Sequence, residues 1–320
     1  MRPESTSVTF RQDLAQVAQE YDEQSSAGTF AGRIMAPLMP VGEQAADYPI
    51  MLRENFIKPA DDSRAEGASY NAIGGEFGKG TYSTEDRGLK YPIDDRRRRR
   101  FARFIDAEQS AARILWYQLL LAHEIRVKSL FEGAGFTSNA AATAWSSAAA
   151  VPLTDLAARM TTLEQSTGIQ RDRFTLAIPA ADKTELLATT QVIDKSKYTY
   201  VGVQPAELTN AQIAAMLEIK QVLTLKSAVD SKEEGVTPSM ANIWTAGKVW
   251  LLVTAEENAP LEMPSAARTM VWTPESGAPF ISESYRDDDI RADIVRHRWD
   301  VDEVLTAELD LMCLLQSSDA

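Results

Sequence analysis

The sequence is poor in the residues that most site chemistry needs. It has one cysteine, Cys313, and two histidines, His123 and His297, among 320 residues. A lone cysteine excludes an internal disulfide and suits a reducing compartment. Two histidines leave almost no room for a histidine-built metal or catalytic site. Positive charge is also short: 33 Lys and Arg against 46 Asp and Glu give a formal net charge of −13. A field of that sign repels polyanions, so any nucleic-acid contact has to be local. Long apolar runs are missing as well. "LWYQLLLA" and "AWSSAAAVPL" fall short of the ~18–20 residues of a bilayer span, so no membrane segment is expected. The opening "MRPESTSVTF" is polar and lacks the apolar stretch of a secretory leader.

What is present is the composition of a soluble globular chain, 44% hydrophobic and 25% charged, long enough to bury a sizeable core. Against the acidic background stands "DDRRRRRFAR", Asp94 to Arg103, with six arginines in its last eight positions.

Residues 1–45 read as an arm. Phe10, Leu14, Val17, Ala18 and Tyr21 fall at helical spacing, and a Gly- and Pro-broken extended stretch follows. Residues 46–92 read as a long hairpin: "YPIMLRENFIK" as the outgoing strand, "LKYPID" as the returning one, and a polar, Gly-rich, flexible tip between. Ordering such segments costs ~1–2 kcal/mol per residue in backbone entropy. They offer little to a core of their own, so packing on neighbouring copies is the expected source of their order.

From Phe101 the pattern is strongly helical up to Gly133, with Asp106 as the expected N-cap and Ile114, Tyr117, Leu121, Ile125 and Lys128 as the expected stripe, broadened by Leu115, Leu119 and Ala122. "LTDLAARMTTLEQSTG" predicts a second helix capped by Thr154 and stopped by Gly168. Strands and helices then alternate over 168–289: "RFTLAI", "PAADKTELLATT", "TNAQIAAMLE", "QVLTLKSAVD", "KVWLLVTA" and "ARTMVW". After the acidic "RDDDIRAD", Val295, His297, Trp299 and Val301 alternate as a strand would, and the last ten residues fit a helical period as well.

Catalytic and binding motifs fail on inspection. "GGEFGKGT", Gly74 to Thr81, misses the phosphate-loop pattern twice, because three residues separate Gly74 from Gly78 and Gly80 intrudes after Lys79. It reads as a hairpin tip. His123 and Glu124 lack the second histidine of a zinc-protease helix, so His123 reads as a helix-surface or interface residue. Asp287, Asp288 and Asp289 lack the spaced loop of a calcium site and read as a solvated turn between two units. No catalytic residue, cofactor or metal site is expected, and the chain is not expected to be an enzyme.

The order of these segments resembles the major capsid proteins of tailed bacteriophages. "FAGRIMAPLMPVGEQAADYPIM" looks like that family's arm passing into its extended loop, and "AEQSAARILWYQLLLAHEIRV" like its spine helix. "VLTLKSAVDSKEEGVTPSMANIWTAGKVWLLV", with Ile243 and Trp244, is the most specific likeness, and "SESYRDDDIRADIVRHRW" resembles the re-entry into the peripheral domain. The resemblance implies an α+β phage major-capsid fold: an N-terminal arm (1–45), an extended hairpin loop (46–92), a peripheral domain with the spine helix (93–167), a compact axial α/β domain (168–289) and peripheral return strands (290–320). It also implies a shell built of hexamers and pentamers around a double-stranded DNA genome. Assembly would take place in the host bacterial cytoplasm, with a portal and separate scaffolding or decoration proteins as partners, and with DNA as a neighbour without sequence specificity. Some members of that family carry an N-terminal scaffolding segment; with an arm beginning at Met1, scaffolding is expected to be either a separate protein or not needed. Two alternatives stand beside this reading: an encapsulin-like compartment for cargo enzymes, which shares the fold, and an α/β enzyme with a mobile Gly-rich lid.

Within that frame Arg96, Arg97, Arg98, Arg99 and Arg100 are candidates for contacts between subunits. Their expected partners are the acidic hairpin residues Asp61, Asp62 and Glu66 or the Asp287–Asp289 turn of a neighbour, with Phe77 and Lys79 as further hairpin contacts. A guanidinium grips a carboxylate with two parallel hydrogen bonds, which suits such a role. The competing readings are a lining for packaged DNA and a solvated face.

Overall fold

The structure, a computed structural model, describes residues 9–17, 30–51, 59, 61–64, 66–67, 69–72, 74–101, 106–133, 138–199, 208–232, 235–273, 279–306 and 312–316. After β1 (Thr9–Phe10) come α1 (Gly32–Met35), β2 (Leu38–Val41), the paired ribbon β3 (Ala45–Met51) and β4 (Phe77–Ser83), β5 (Glu85–Asp94), α2 (Asp95–Phe101) and α3 (Ala107–Gly133). Then follow β6 (Ser138–Ala140), α4 (Pro152–Thr167), β7 (Phe174–Pro179), α5 (Ala180–Ala188), α6 (Thr190–Thr199), α7 (Asn210–Leu217) and β8 (Gln221–Leu225). The chain continues through β9 (Ala228–Asp230), β10 (Met240–Asn242), β11 (Lys248–Val253), β12 (Ala267–Trp272), β13 (Ile281–Asp287), β14 (Ala292–Leu305) and β15 (Met312–Gln316).

α3 spans 27 residues, roughly 40 Å, because its run contains no proline and begins on a good cap. The Asp106 carboxylate accepts the N–H of Glu108 at 3.0 Å and of Gln109 at 3.3 Å. Its buried face is Ala111, Ala112, Leu115, Trp116, Leu119, Leu120, His123, Glu124, Val127 and Phe131. The stripe expected from spacing is rotated from this face: its broadening residues Leu115 and Leu119 are buried, whereas Ile114 is 48% exposed and Ile125 39%. Both stripes have helical period, and only the packing of α3 on the sheet decides between them.

Two sheets share the helices between them. In the first, the order is β1-β13-β14-β12-β2, with β5 also pairing β14. β14 is long because one of its edges is held by β5 over Ala292–Val301 while the other serves β13 and then β12. In the second sheet the order is β6-β15-β11-β7-β8. Here β11 is antiparallel to both β15 and β7, and its Val249–Val253 run is buried. α4, α5, α6 and α7 cover this sheet with Leu156, Met160, Leu186, Val192 and Ile213. Each such side chain contributes ~1.5–3 kcal/mol on burial.

Several expected boundaries move. Thr154 does not cap α4; the helix starts at Pro152, and the Thr154 hydroxyl instead accepts from Gln191. Gly168 does end it, at φ 69° in the left-handed region. β12 lies in the first sheet, and the Asp287–Asp289 turn joins β13 to β14 within that same sheet, so a border at 289/290 cuts a hairpin. β15 is a strand of the second sheet, not a helix and not a strand returning to the first. "LKYPID" belongs to β5 and pairs with β14. The returning strand of the hairpin is β4, within the Gly-rich stretch read as its flexible tip. The arm also has more core than its composition promised: Leu14, Phe30, Met35, Ala36 and Leu38 are buried against the chain's own body. Val17 closes the described part of the arm's helical stretch; Ala18 and Tyr21 lie outside the described residues.

Candidate assembly surfaces and the polar seam beneath them

The arginine block is helical. Asp94 caps α2, accepting the N–H of Arg96 at 2.7 Å and of Arg97 at 3.2 Å, which leaves the side chains of Arg96 to Arg100 exposed. Arg98 is held within the chain, by Asp293 at 2.5 Å and Glu108 at 2.8 Å, and Arg97 lies over the Tyr91 ring at 5.9 Å. The Asp287–Asp289 turn meets this surface through Arg286. Its guanidinium donates to both oxygens of Asp95, at 2.7 and 2.8 Å, to Asp293 at 3.1 Å and to Asp288 at 3.3 Å. That pairing holds the Asp95 carboxyl below its usual range. The structure thus brings α2 and the acidic turn together inside one chain, with Arg286 between them; Asp287 accepts the N–H of Asp289 at 3.1 Å.

The hairpin is built on a fitted base. Tyr48 pairs across the ribbon with Gly80, and a Cβ on Gly80 would sit 2.2 Å from the Tyr48 ring, so only glycine lets that ring lie flat. The Tyr48 hydroxyl donates to the Leu305 carbonyl at 2.8 Å, and Tyr48 and Tyr82 pack on Met270 and Val304. Beyond this base the ribbon is exposed. Phe77 is 60% exposed, Lys79 pairs with Asp47 at 2.8 Å, and Asp62 and Glu66 face solvent. Asp61 is exposed and closes a turn, accepting from the N–H and hydroxyl of Ser63 at 2.9 and 2.6 Å.

Beneath these surfaces lies a buried polar seam. Glu124, 0% exposed, accepts from Trp244 Nε1 at 2.6 Å, Ser227 Oγ at 3.1 Å, Gly32 N at 2.5 Å and Ala31 N at 3.3 Å. A Cβ on Gly32 would meet the carboxylate at 2.6 Å. Burial pushes the Glu124 carboxyl upward in pKa, and its donors pull it back. One residue earlier, His123 is 1% exposed, not on the helix surface as its sequence context implied. The Thr269 hydroxyl donates to Ala36 O at 2.9 Å, so it accepts from His123 Nε2 at 3.0 Å, which fixes the Nε2–H tautomer. Burial, with Arg126 and Arg33 nearby, pushes His123 down to about 3. Arg268, 1% exposed, donates to the carbonyls of Ala259, Pro260 and Met263 and shapes that loop. The seam was missed because each partner comes from a different segment. The dipeptide His-Glu in mid-helix and the Trp244 phrase were its only visible traces.

Among the described residues no helix is long and apolar enough to cross a membrane, and no group of three or more His, Cys, Asp or Glu could hold a metal ion.

No protein-family model matches the sequence, and no curated protein is similar to it. Solved structures are. A phage-related protein from Bordetella bronchiseptica RB50 superposes at TM-score 0.73 with 18% identity, over 97% of each chain. The capsid of cyanophage P-SCSP1u gives TM-score 0.61 at 10% identity, over 92% of this chain and 89% of that one. A virus-like particle from Pyrococcus furiosus gives 0.53 at 10% identity, over 95% and 98%. The class is therefore defined by the backbone: the chain has the α+β phage major-capsid fold expected from its segment order.

Proposed function

We propose that this chain is a shell protein that assembles with copies of itself into the hexamers and pentamers of an icosahedral capsid around the double-stranded DNA of a tailed bacteriophage. The observation that carries the reading is the near full-length likeness to a capsid backbone, joined to a ribbon whose described residues beyond its base are largely exposed. A ribbon with Phe77 in solvent gains from being laid on a second copy, because apolar burial contributes ~25 cal/mol per Å². On this reading the hairpin and arm contact neighbouring subunits, and portal, scaffolding or decoration proteins join the shell in the bacterial cytoplasm. Arg96, Arg97 and Arg99 reach a neighbour's carboxylates, while Arg98 keeps its own.

The test is particle formation. Expression of the chain alone, or with its accompanying scaffold, is expected to yield closed shells by negative-stain microscopy. A stable species of one chain's mass under both conditions would overturn the reading. Likeness to a virus-like particle leaves room for a second reading, a shell of the same fold that holds enzymes rather than DNA: shells that co-purify with an enzyme and hold no nuclease-resistant DNA would identify it.

A further inference from the structure

Both imidazoles of the chain are buried, and they are not equivalent. His297, 0% exposed on β14, has no hydrogen-bond partner at either ring nitrogen among the described residues. The hydroxyl of Ser282, its cross-strand partner on β13, is buried and equally unpartnered. Alternation along β14 puts His297 on the face of Val295 and Trp299, which pack on Ala112 and Trp116 of α3, and the Ala112 backbone lies beside the ring.

The arm is moored over this spot. Thr9 and Phe10 pair with Ser284 and Glu283, and the Arg11 N–H donates to the Ser282 carbonyl at 3.0 Å. Leu14, 2% exposed, packs with Ala111, Ala112, Leu115 and Val295, and Arg11 reaches Glu108 at 3.1 Å. Among the described residues one short strand pair, Leu14 with the half-buried Ala15, and one partly buried ion pair make a thin mooring, the kind of segment that opens before the rest of a fold.

We propose that His297 is an acid trigger for the arm: charging this imidazole opens the seam between α3 and β14 at Ala112 and frees residues 9–17 from β13 and α3. The charged groups on the surrounding elements are already committed. Glu108 on α3 holds Arg11 and Arg98, Glu283 on β13 holds Arg296 and Arg298, and Asp13 of the arm holds Arg11. On β5 the register partner of His297 is Leu89, flanked by Gly88 and Lys90, and His123 lies further along α3 against Trp299. Among the described residues an imidazolium here meets no uncommitted carboxylate, only the Ala112 backbone, whose hydrogen bond favours the charged form less than burial opposes it, and a buried charge so poorly paired is strongly unfavourable. Burial already pushes His297 down to about 4 from 6.5. The mooring is therefore at full strength above about pH 6.5 and weakens as pH falls toward about 4, with the opening equilibrium roughly 30-fold larger at pH 5 than at pH 8.

Hydrogen exchange read by mass spectrometry on the full chain, corrected for intrinsic rates, tests this between pH 8 and pH 5. Peptides covering residues 9–17 are expected to lose protection roughly 30-fold while those from β7 and β11 hold theirs. His297→Phe abolishes the step, and His297→Gln carries the test if the Phe variant does not fold. Three results would overturn the proposal: an arm as protected at pH 5 as at pH 8, loss of protection in both sheets together, or an unchanged acid step in the folded variant.

Discussion

The seam at Glu124 and the surface at Arg286 solve the same problem in different media. Each uses carboxylate hydrogen bonds to tie together segments far apart in sequence: residues 31–32, 124, 227 and 244 in one, and residues 95, 286, 288 and 293 in the other. At Glu124 every partner is a neutral donor and the carboxylate is fully buried, so a lost bond is costly to replace. At Arg286 water or another carboxylate can step in at little cost. The buried cluster therefore fixes where the arm enters the fold. The exposed one is free to exchange partners, which is what a surface meeting other molecules requires.

The sharpest way to break that contrast is Glu124→Ala. It strips four donors of their acceptor at once and is expected to cost at least about 3 kcal/mol of stability, read as a lower midpoint in urea unfolding. Glu124→Gln keeps one acceptor oxygen but turns an amide N–H₂ toward donors, so its loss should lie between wild type and Glu124→Ala. A loss under about 1 kcal/mol for Glu124→Ala would show the seam to be incidental.

Why the seam escaped a reading of the sequence follows from its construction. The existence of α3, its Asp106 cap and its end near Gly133 are local properties, and they were legible. So were the strands at Phe174–Pro179, Lys248–Val253 and Ala267–Trp272, each a short run with little polar interruption. Which stripe of α3 faces inward is not local, and neither is the sheet that receives β12 or β15. A strand carries no mark of its partner beyond a buried pattern, and β12 is buried on both faces in either sheet. The ribbon misled in another way. Four glycines in "GGEFGKG" signal a loop by composition, yet Gly80 stands in a strand because the Tyr48 ring occupies the space of its side chain.

That last contact gives the next prediction. Gly80→Ala places a methyl group inside the Tyr48 ring, which must swing out and give up its bond to the Leu305 carbonyl. The expected cost is about 1–3 kcal/mol, smaller than for Glu124→Ala because the ribbon can bend toward solvent. Pairing it with Tyr48→Ala should remove most of the effect in a double-mutant cycle, since the clash and its relief lie in one contact. Additive losses would mean that Gly80 matters for strand conformation alone.

The smallest effect on the subunit is expected where the charge is densest. Arg97→Glu with Arg99→Glu alters two exposed positions on α2 whose backbone is capped independently by Asp94. Among the described residues neither side chain makes an ion pair that holds α2 to the body; that work falls to Arg98 and, through Asp95, to Arg286. Folding should therefore change little, as for most surface substitutions, while shells fail to form if the proposed contact holds, because two charges reverse, a change of four units, at the surface proposed to meet a neighbour's carboxylates. Normal shells in normal yield would return α2 to the status of a solvated face. Normal shells with a reduced DNA content would place it on the lumen instead, in contact with phosphates, where charge reversal weakens binding through the electrostatic term alone.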